Sequence, residues 1–533
     1  MTSREEIAAE STRGKPQHLG WALALISVAQ LMVVLDATIA NIALPFIQED
    51  LDISQANLTW IVTGYALAFG GLLLLGGRLG DLYGRRRVLM IGLIIFAVAS
   101  LLGGMATNEG LLLGARGLQG LGAALASPAA LSLITTTFPA GPQRSRAFGV
   151  YAAMSGAGAA VGLILGGWLT GWTHVLGADI EGWRLTFLIN VPIGLAAAWA
   201  APRLLPESES HPGELDIPGA LTGTLGLFGI VFGLSRAAEE AYGWDHWQAL
   251  VPLIGGILLL GLFVFIETRV EHPLMPLRIF TNRTRAVSFL AFMIAPAAMF
   301  AMFFYLSLFI QQVVGFSSLR TGFAFLPFSV GVVFGAILTQ NLLKRFNPRY
   351  IAGVGTLMAA GALFGFSTLS VDTSPDAILG ALAAGETFGA DVNYWTELFP
   401  LVVLMSVGMG LTFVTLTLTA VHHVEARDSG VGSGVLNTMQ QVGGALGLAV
   451  LATVVTQTVS SKADEIASSL TGKINDPAQL QQVAGGAAFT DGASIGFLVA
   501  AFMMLAAAAV IWIFLDVKHE ELATEAPEGA GMH

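Results

Sequence analysis

The sequence contains no cysteine, which excludes disulfides, thiol nucleophiles and thiolate metal sites. Charge is scarce: Asp, Glu, Lys and Arg make up 11% of the 533 residues against 54% hydrophobic, too apolar a balance for a soluble chain of this length. Lysine is rare, with 5 against 20 arginines, a bias that fits a GC-rich bacterial genome. No stretch reads G-x-x-x-x-G-K-[ST], so the chain carries no nucleotide-driven motor of its own. Uphill movement of a solute would have to draw on an ion gradient or on a partner. Nothing resembles a soluble catalytic domain, so no enzyme activity, cofactor or metal site is expected. The first 18 residues lack the short apolar core and small-residue cleavage site of a signal peptide and read as a cytoplasmic tail. A net charge of −11, with the bases spread over short loops, speaks against nucleic acid as a partner.

What is present is apolar length. Fourteen runs are long enough, at about 20 residues each, to cross roughly 30 Å of hydrocarbon: 19–46, 57–77, 88–106, 110–138, 145–172, 184–202, 215–236, 248–268, 284–314, 320–343, 349–370, 397–422, 430–456 and 492–516. The 64 glycines point to close helix contacts more than to turns. The bases set the orientation. With the amino terminus inside, 19 of the 25 fall on the cytoplasmic side, Arg184, Arg236, Arg320, Lys462 and Lys473 fall outside, and Arg116 alone lies within a span. Both termini are therefore expected in the cytoplasm of a bacterium, with the lipid bilayer of its plasma membrane as surroundings.

An internal repeat is faint but visible. The inner loop after span 2, GRLGDLYGRRR, has a degenerate echo after span 10, LLKRFNPRYIAGVG, and such repeats build transporter halves around a midplane site. The expected organisation is a tail at 1–18, a six-helix half at 19–202, two inserted helices with linkers at 203–283, a second six-helix half at 284–516 with a long external loop at 457–491, and a tail at 517–533. That loop, with its polar helix-like stretch SSKADEIASSL, and the segment 371–396 read either as solvated caps or as gates.

In GRLGDLYGRRRV, Gly77, Gly80 and Gly84 permit a tight turn and close backbone approach, and Asp81 among four arginines can cap a neighbouring helix amino terminus. This order resembles the signature inner loop of the major facilitator superfamily. Three further stretches are similar to motifs of its fourteen-span drug:proton antiporter group: LDATIANIALP from Leu35, LLGARGLQGLGAA from Leu112 and WRLTFLINVPIG from Trp183. The resemblance implies a major facilitator fold of 14 transmembrane helices, two six-helix halves plus two inserted helices, acting as a monomer. It also implies inner gating by Asp81 and Arg85, with the start of span 13 around Gly430 to Gly434 as their partner. One departure concerns span 5, where the group's antiporter motif has a proline and this chain has Leu163. Gly158, Gly162 and Gly166 still fall four apart on one helix face, and Gly167 adjoins them, so close helix packing is expected there.

A carboxylate inside a span costs about 2.5–3.5 kcal/mol on insertion scales, so Asp36 is expected to face a cavity or a partner. Counting 1.5 Å per residue, Asp36 lies about 13 Å and Arg116 about 9 Å below the outer end, close enough in depth to pair. Two readings stand: a fixed structural bridge, or a carboxylate that exchanges a proton as water or substrate tips the balance between burial and the guanidinium. Gln30 and Asn41 share a helix face from which Asp36 is turned about 140°, so Asp36 and Asn41 cannot both line one narrow pocket. Asp36 is taken to line it. The second half supplies amides but no acid in its spans. Asn437, Gln441 and Gln311 join Gln30, Asn41 and Asp36 as candidate substrate contacts, with a helix-bracing role equally open for Asn437 and Gln441. The expected function is exchange of protons for amphipathic hydrophobic drugs, dyes or antibiotics. With one midplane acid, neutral or monocationic substrates are expected. A transporter of lipids or lipid-linked metabolites is the alternative.

Overall fold

The computed structural model describes residues 19–524, apart from 140–141, 173, 176–177, 208–213, 240–241, 423–428 and 475. The expected tail at 1–18 lies outside the described residues, as does 525–533; within 517–524 a short helix forms at His519–Thr524.

In hydrocarbon every backbone N–H and C=O must be satisfied within the chain, which favours helices throughout. Among the described residues fourteen helical spans run Leu19–Leu51, Trp60–Tyr83, Arg85–Gly104, Glu109–Thr137, Pro142–Thr170, Gly182–Leu204, Ile217–Ala238, Trp247–Glu267, Arg283–Val313, Ser318–Leu342, Pro348–Phe366, Tyr394–Ala420, Ser429–Leu470 and Pro477–Phe514, here spans 1 to 14. Thirteen of these are long and apolar enough to cross a membrane, and span 5 adds the apolar stretch Gly158–Thr170. A two-residue antiparallel ladder, His174–Val175 with Ala178–Asp179, sits in the loop after span 5. The chain is a multi-pass, all-helical membrane protein.

Several spans are interrupted for identifiable reasons. Span 10 breaks at Phe325, with Pro327 opening its second piece, as expected where a ring cannot donate to the helix ladder. Span 9 ends in two wide turns, Met302–Leu306 and Phe309–Val313, of the kind that mark functional sites in helices. Gly84, with φ of +97°, makes the sharp corner between spans 2 and 3. A Cβ there would be strained and would press on Glu207. The close approach expected at Gly77 falls instead on Gly76, whose Cα faces the carbonyl of Ala124 in span 4; Gly77 itself has room for a side chain.

The two halves repeat one packing pattern. Span 4 packs on 2 and 3, span 5 on 1, and span 6 on 1 and 3; correspondingly span 12 packs on 10 and 11, span 13 on 9, and span 14 on 9 and 11. Spans 7 and 8 pair with each other, and span 7 also contacts spans 2 and 13, so the inserted pair lies along the seam between halves. Trp60 Nε1 donates to Ser235 Oγ at 2.9 Å and Thr453 Oγ1 to the Leu234 carbonyl at 3.2 Å, fastening span 7 to each side.

The halves meet unequally at their two ends. At the end remote from Arg78–Arg87, one continuous apolar core joins Ile42, Ile47, Ile61 and Trp183 of the first half to Phe304, Tyr305, Leu363 and Phe497 of the second. Toward the arginine-rich end, called here the basic end, the cores separate, one around Phe96, Ala126 and Ile134 and another around Phe292, Ala352 and Leu416. The segment 457–491, expected as a loop, is almost wholly helical. Spans 13 and 14 continue past the bilayer as an antiparallel hairpin that turns at Gly472, φ +83°. Helix Pro375–Ala384 packs on it through Ile378, with Ile466, Leu470 and Ala487 completing a small separate core. Burial of Val483, Ala484, Ala487 and Ala488 in that core holds the VAGGAAF stretch helical despite the low helix propensity of Gly485 and Gly486.

Candidate functional site

Span 1 turns Asp36 into the interior of the first half, where its side chain is completely buried. Arg116 Nη1 of span 4 donates to Asp36 Oδ2 at 2.6 Å. Gln119 Nε2 and Asn190 Nδ2 donate to Oδ1 at 2.9 and 3.0 Å. Three donors thus converge on the two carboxylate oxygens. The guanidinium is equally buried, at 1% exposure. Its Nε donates to the Ile61 carbonyl at 2.7 Å and its Nη1 also reaches Gln119 Oε1 at 2.9 Å, while the rings of Tyr65 and Phe187 flank it at 4.4 and 5.8 Å. Ser100 accepts the other proton of Gln119 Nε2 at 2.8 Å. Spans 1, 2, 3, 4 and 6 thus converge on one ion pair whose hydrogen bonds are met almost entirely from within the first half.

This placement corrects one expectation. Asp36 does not line the seam; it is turned from it toward spans 4 and 6, because a buried carboxyl group needs hydrogen-bond partners and all of them stand inside the half. Span 1 meets span 9 at Asn41, whose backbone carbonyl accepts from Ser307 Oγ at 3.3 Å, while its side-chain Nδ2 donates back to the Ala37 carbonyl at 3.0 Å. Gln311 Nε2 donates to the same Ser307 hydroxyl at 3.1 Å, so Asn41 and Gln311 come together at the closed end. Gln48 and Gln312 bridge the halves about two turns further along span 1, at 3.3 Å. Gln30 lies toward the basic end, accepting from Tyr151 OH at 2.7 Å and Ser127 Oγ at 3.4 Å. Gln441 of span 13 packs against Gly70 of span 2, and Asn437 follows one turn nearer the basic end, both half-buried. The candidate substrate contacts therefore form two groups on either side of Asp36 along the seam.

The residues around Asp36 that the motifs alone did not single out are Gln119, Asn190, Ser100 and Tyr65. Gln119 follows Arg116 by three residues, on the same helix face, and Asn190 stands in the middle of WRLTFLINVPIG. The same stretch ties span 6 to span 1 a second time. Trp183 Nε1 and Arg184 Nη2 both donate to Asp50 Oδ2, at 3.1 and 2.8 Å.

At the basic end Arg85 pairs with Asp81 at 3.0 Å and donates to the Ser132 carbonyl of span 4 at 3.3 Å. Asp81 does not cap the next helix as expected. Glu207, beyond span 6, takes that place: its Oε1 accepts from Arg86 N at 3.2 Å, and its carboxylate also pairs with Arg86 and Arg87. An anion fits there because the first amides of span 3 are unsatisfied and point toward it. The loop before span 13, where the gate partner was expected, lies partly outside the described residues; Gly434 packs against Leu74 of span 2. The glycine face of span 5 meets span 1 through Gly158 with Leu31 and Val34, Gly162 with Thr38 and Leu35, and Gly166 with Ile39. Gly167 faces away, onto the backbone of Ser318 and Leu319 in span 10, where a Cβ would overlap the chain. Leu163, in the position of the expected proline, presents its carbonyl to Gly322 of span 10.

Comparison with known proteins follows the same lines. A profile described as Major Facilitator Superfamily matches residues 26–448. Puromycin resistance protein pur8 of Streptomyces alboniger is 38% identical over 522 residues, covering 96% of this chain and 95% of that protein. Cephamycin export protein CmcT of Amycolatopsis lactamdurans is 37% identical over 473 residues, covering 88% and 91%. Among solved structures, a bacterial homolog to the human lysosomal transporter Spinster, in an inward-facing and unoccupied conformation, aligns with a TM-score of 0.66 over 96% of this chain and 99% of that one. At 16% identity that likeness is one of fold.

Proposed function

Because the chain belongs to the major facilitator superfamily of membrane transporters, we propose that it exports amphipathic, hydrophobic compounds, antibiotics and dyes among them, in exchange for protons. It works as a monomer in the bacterial cytoplasmic membrane, with its basic end toward the cytoplasm. The names of the relatives support the substrate class. The observation that carries the coupling is the buried Asp36–Arg116 pair, an ionisable group in mid-membrane held by donors that can change partners.

In the exchange cycle the closed outer core and divided inner cores belong to the cytoplasm-facing state, in which Asp36 has given up its proton and is held by Arg116. Opening the outer end parts the core that contains Ile61 and Phe187. Both are neighbours of the Arg116 guanidinium, so parting them brings external water to the pair. A proton on Asp36 cancels its attraction for Arg116. Asn190 Oδ1, buried and without a hydrogen-bond partner, then becomes an acceptor for the new O–H once the amide turns over. Loss of the ion pair loosens spans 1, 4 and 6 from one another, and the bound compound leaves outward. Arg85 and Asp81 act at the inner end, gating as the halves rock.

The test is uptake of labelled puromycin into inverted vesicles carrying this protein. Uptake against a concentration gradient that collapses on adding a protonophore is expected; uptake indifferent to the protonophore contradicts proton coupling. A second reading, movement of a lipid or lipid-linked metabolite, is favoured by a side cavity of about 540 Å³ between spans 2, 4, 7 and 8, lined by Trp60, Leu113, Leu225 and Phe228. It requires redistribution of labelled lipid between leaflets, which drug export does not.

A further inference from the structure

Away from the ion pair, two carboxyl groups meet at the basic end of the inserted helices. Asp216 caps the start of span 7, its Oδ1 accepting from Gly219 N at 2.8 Å. Glu267 ends span 8, and its Oε2 accepts from Met275 N at 2.9 Å. Both residues are buried, at 3% and 4% exposure, and the antiparallel register of spans 7 and 8, with Gly226 against Leu260 and Gly223 against Phe263, brings the start of span 7 beside the end of span 8, where the two carboxyl groups act on each other. The remaining oxygens, Asp216 Oδ2 and Glu267 Oε1, have no hydrogen-bond partner. Among the described residues, no Lys, Arg or His forms an ion pair with either. The groups acting on Glu267 are Asp216 itself and the backbone amides of Met275 and Leu274.

Two neighbouring buried carboxylates, each with one oxygen lacking a donor, cannot both stay ionised. One proton between the free oxygens resolves all of this at once, giving a charge-assisted O–H···O bond of the strong kind. A hard metal cation fits poorly, since it takes six or more oxygens and each carboxylate here has one to offer. The geometry points to Asp216 and Glu267 as a second proton-binding site, holding one shared proton that clasps the inserted helices at the basic end.

The position gives the clasp its consequence. Asp216 is the last residue of the linker from the first half, and Glu267 holds the linker that leads to the second half. In that second linker Leu274 and Ile279 are buried, and Met275, Ile279 and Phe280 belong to the inner core of the second half. Both connections between the inserted pair and the two halves are therefore fastened at one proton. Raising the pH removes it and leaves two facing charges, so the clasp weakens in alkaline conditions and holds in neutral to acidic ones. This site is independent of Asp36 and of what the protein carries.

The test uses the full chain in lipid nanodiscs, with infrared spectroscopy for the carboxyl groups and thermal unfolding across pH 6 to 9. Wild type is expected to show a protonated-carboxyl stretch that disappears with rising pH, and an unfolding temperature that falls by several degrees over the same interval. Glu267→Gln supplies a permanent amide donor to Asp216, so it should lose that band and flatten the pH dependence. Asp216→Asn does the same from the other side and carries the test should the first variant fail to fold. Glu267→Ala, which also strips the acceptor from Met275 N, lowers stability at every pH. Matching bands and matching pH profiles in wild type and both amide variants would overturn the shared proton. Restoration of alkaline stability by calcium or magnesium in wild type but not in Glu267→Gln would overturn it in favour of a metal.

Discussion

Replacing Asp36 by asparagine leaves the shape of the site intact and removes one charge. The Arg116 side chain, 1% exposed, then faces an amide. Asparagine can turn its oxygen to Arg116, but its NH₂ then meets the donors of Gln119 and Asn190, which now point at Asp36 Oδ1. Turning the other way sets that NH₂ against Nη1. Stranding one member of a buried pair costs roughly 3–5 kcal/mol. Arg116→Met alone strands the carboxylate at a similar cost and also leaves the Ile61 carbonyl without its donor, worth about 1–3 kcal/mol. The double variant strands no charge and retains mainly that last penalty. A double-mutant cycle should therefore show the two changes to be strongly non-additive, with an interaction of about 3 kcal/mol or more. The assay is reversible unfolding in mixed micelles, with wild type, both singles and the double measured side by side. Additive losses would refute the description of Asp36 and Arg116 as a mutually dependent buried pair.

Other consequences follow from particular contacts. Glu207→Ala removes the acceptor for Arg86 N and should lower stability by about 1 kcal/mol, as a lost helix cap does. Asp81→Ala, whose partner pair is partly exposed, should cost less than that. Thermal melts that rank the two the other way would show that the cap has been wrongly assigned. Gly322→Ala places a methyl group against the backbone of Leu163 and Ile164 and should push the closed outer end open. Because the chain has no native cysteine, paired cysteines at Gln48 and Gln312 report this cleanly: a short bifunctional thiol reagent should cross-link them several-fold less in the Gly322→Ala background. Unchanged cross-linking would mean that spans 5 and 10 do not seal that end.

Much of this architecture is legible in the sequence because the bilayer allows little else: about 20 apolar residues in a row have one stable form. The Asp36–Arg116 pairing was readable from depth alone, since charges inside spans are few. Which way Asp36 turns was not. That choice depends on Gln119 and Asn190, which nothing in the sequence marks as donors to Asp36 until span 6 is placed beside span 1. The cap on span 3 was missed for a similar reason, because Glu207 is more than 120 residues from Arg86 and no local pattern joins them. Within 457–491 the helix-like stretch SSKADEIASSL was legible, but its continuity with span 13 was not, because polar residues such as Lys462 and Glu465 break the hydropathy without breaking the helix; an i, i+3 pair at 2.7 Å even supports it.

The most direct measurement is transport of one amphipathic cation, ethidium, by wild type and Asp36→Asn in inverted vesicles, with uphill and downhill movement recorded separately. Wild type should accumulate ethidium and discharge a preset proton gradient as it does so. The variant should still let ethidium run down its own gradient while losing both accumulation and discharge. Accumulation at the wild-type level by Asp36→Asn would contradict a coupling role for this carboxylate.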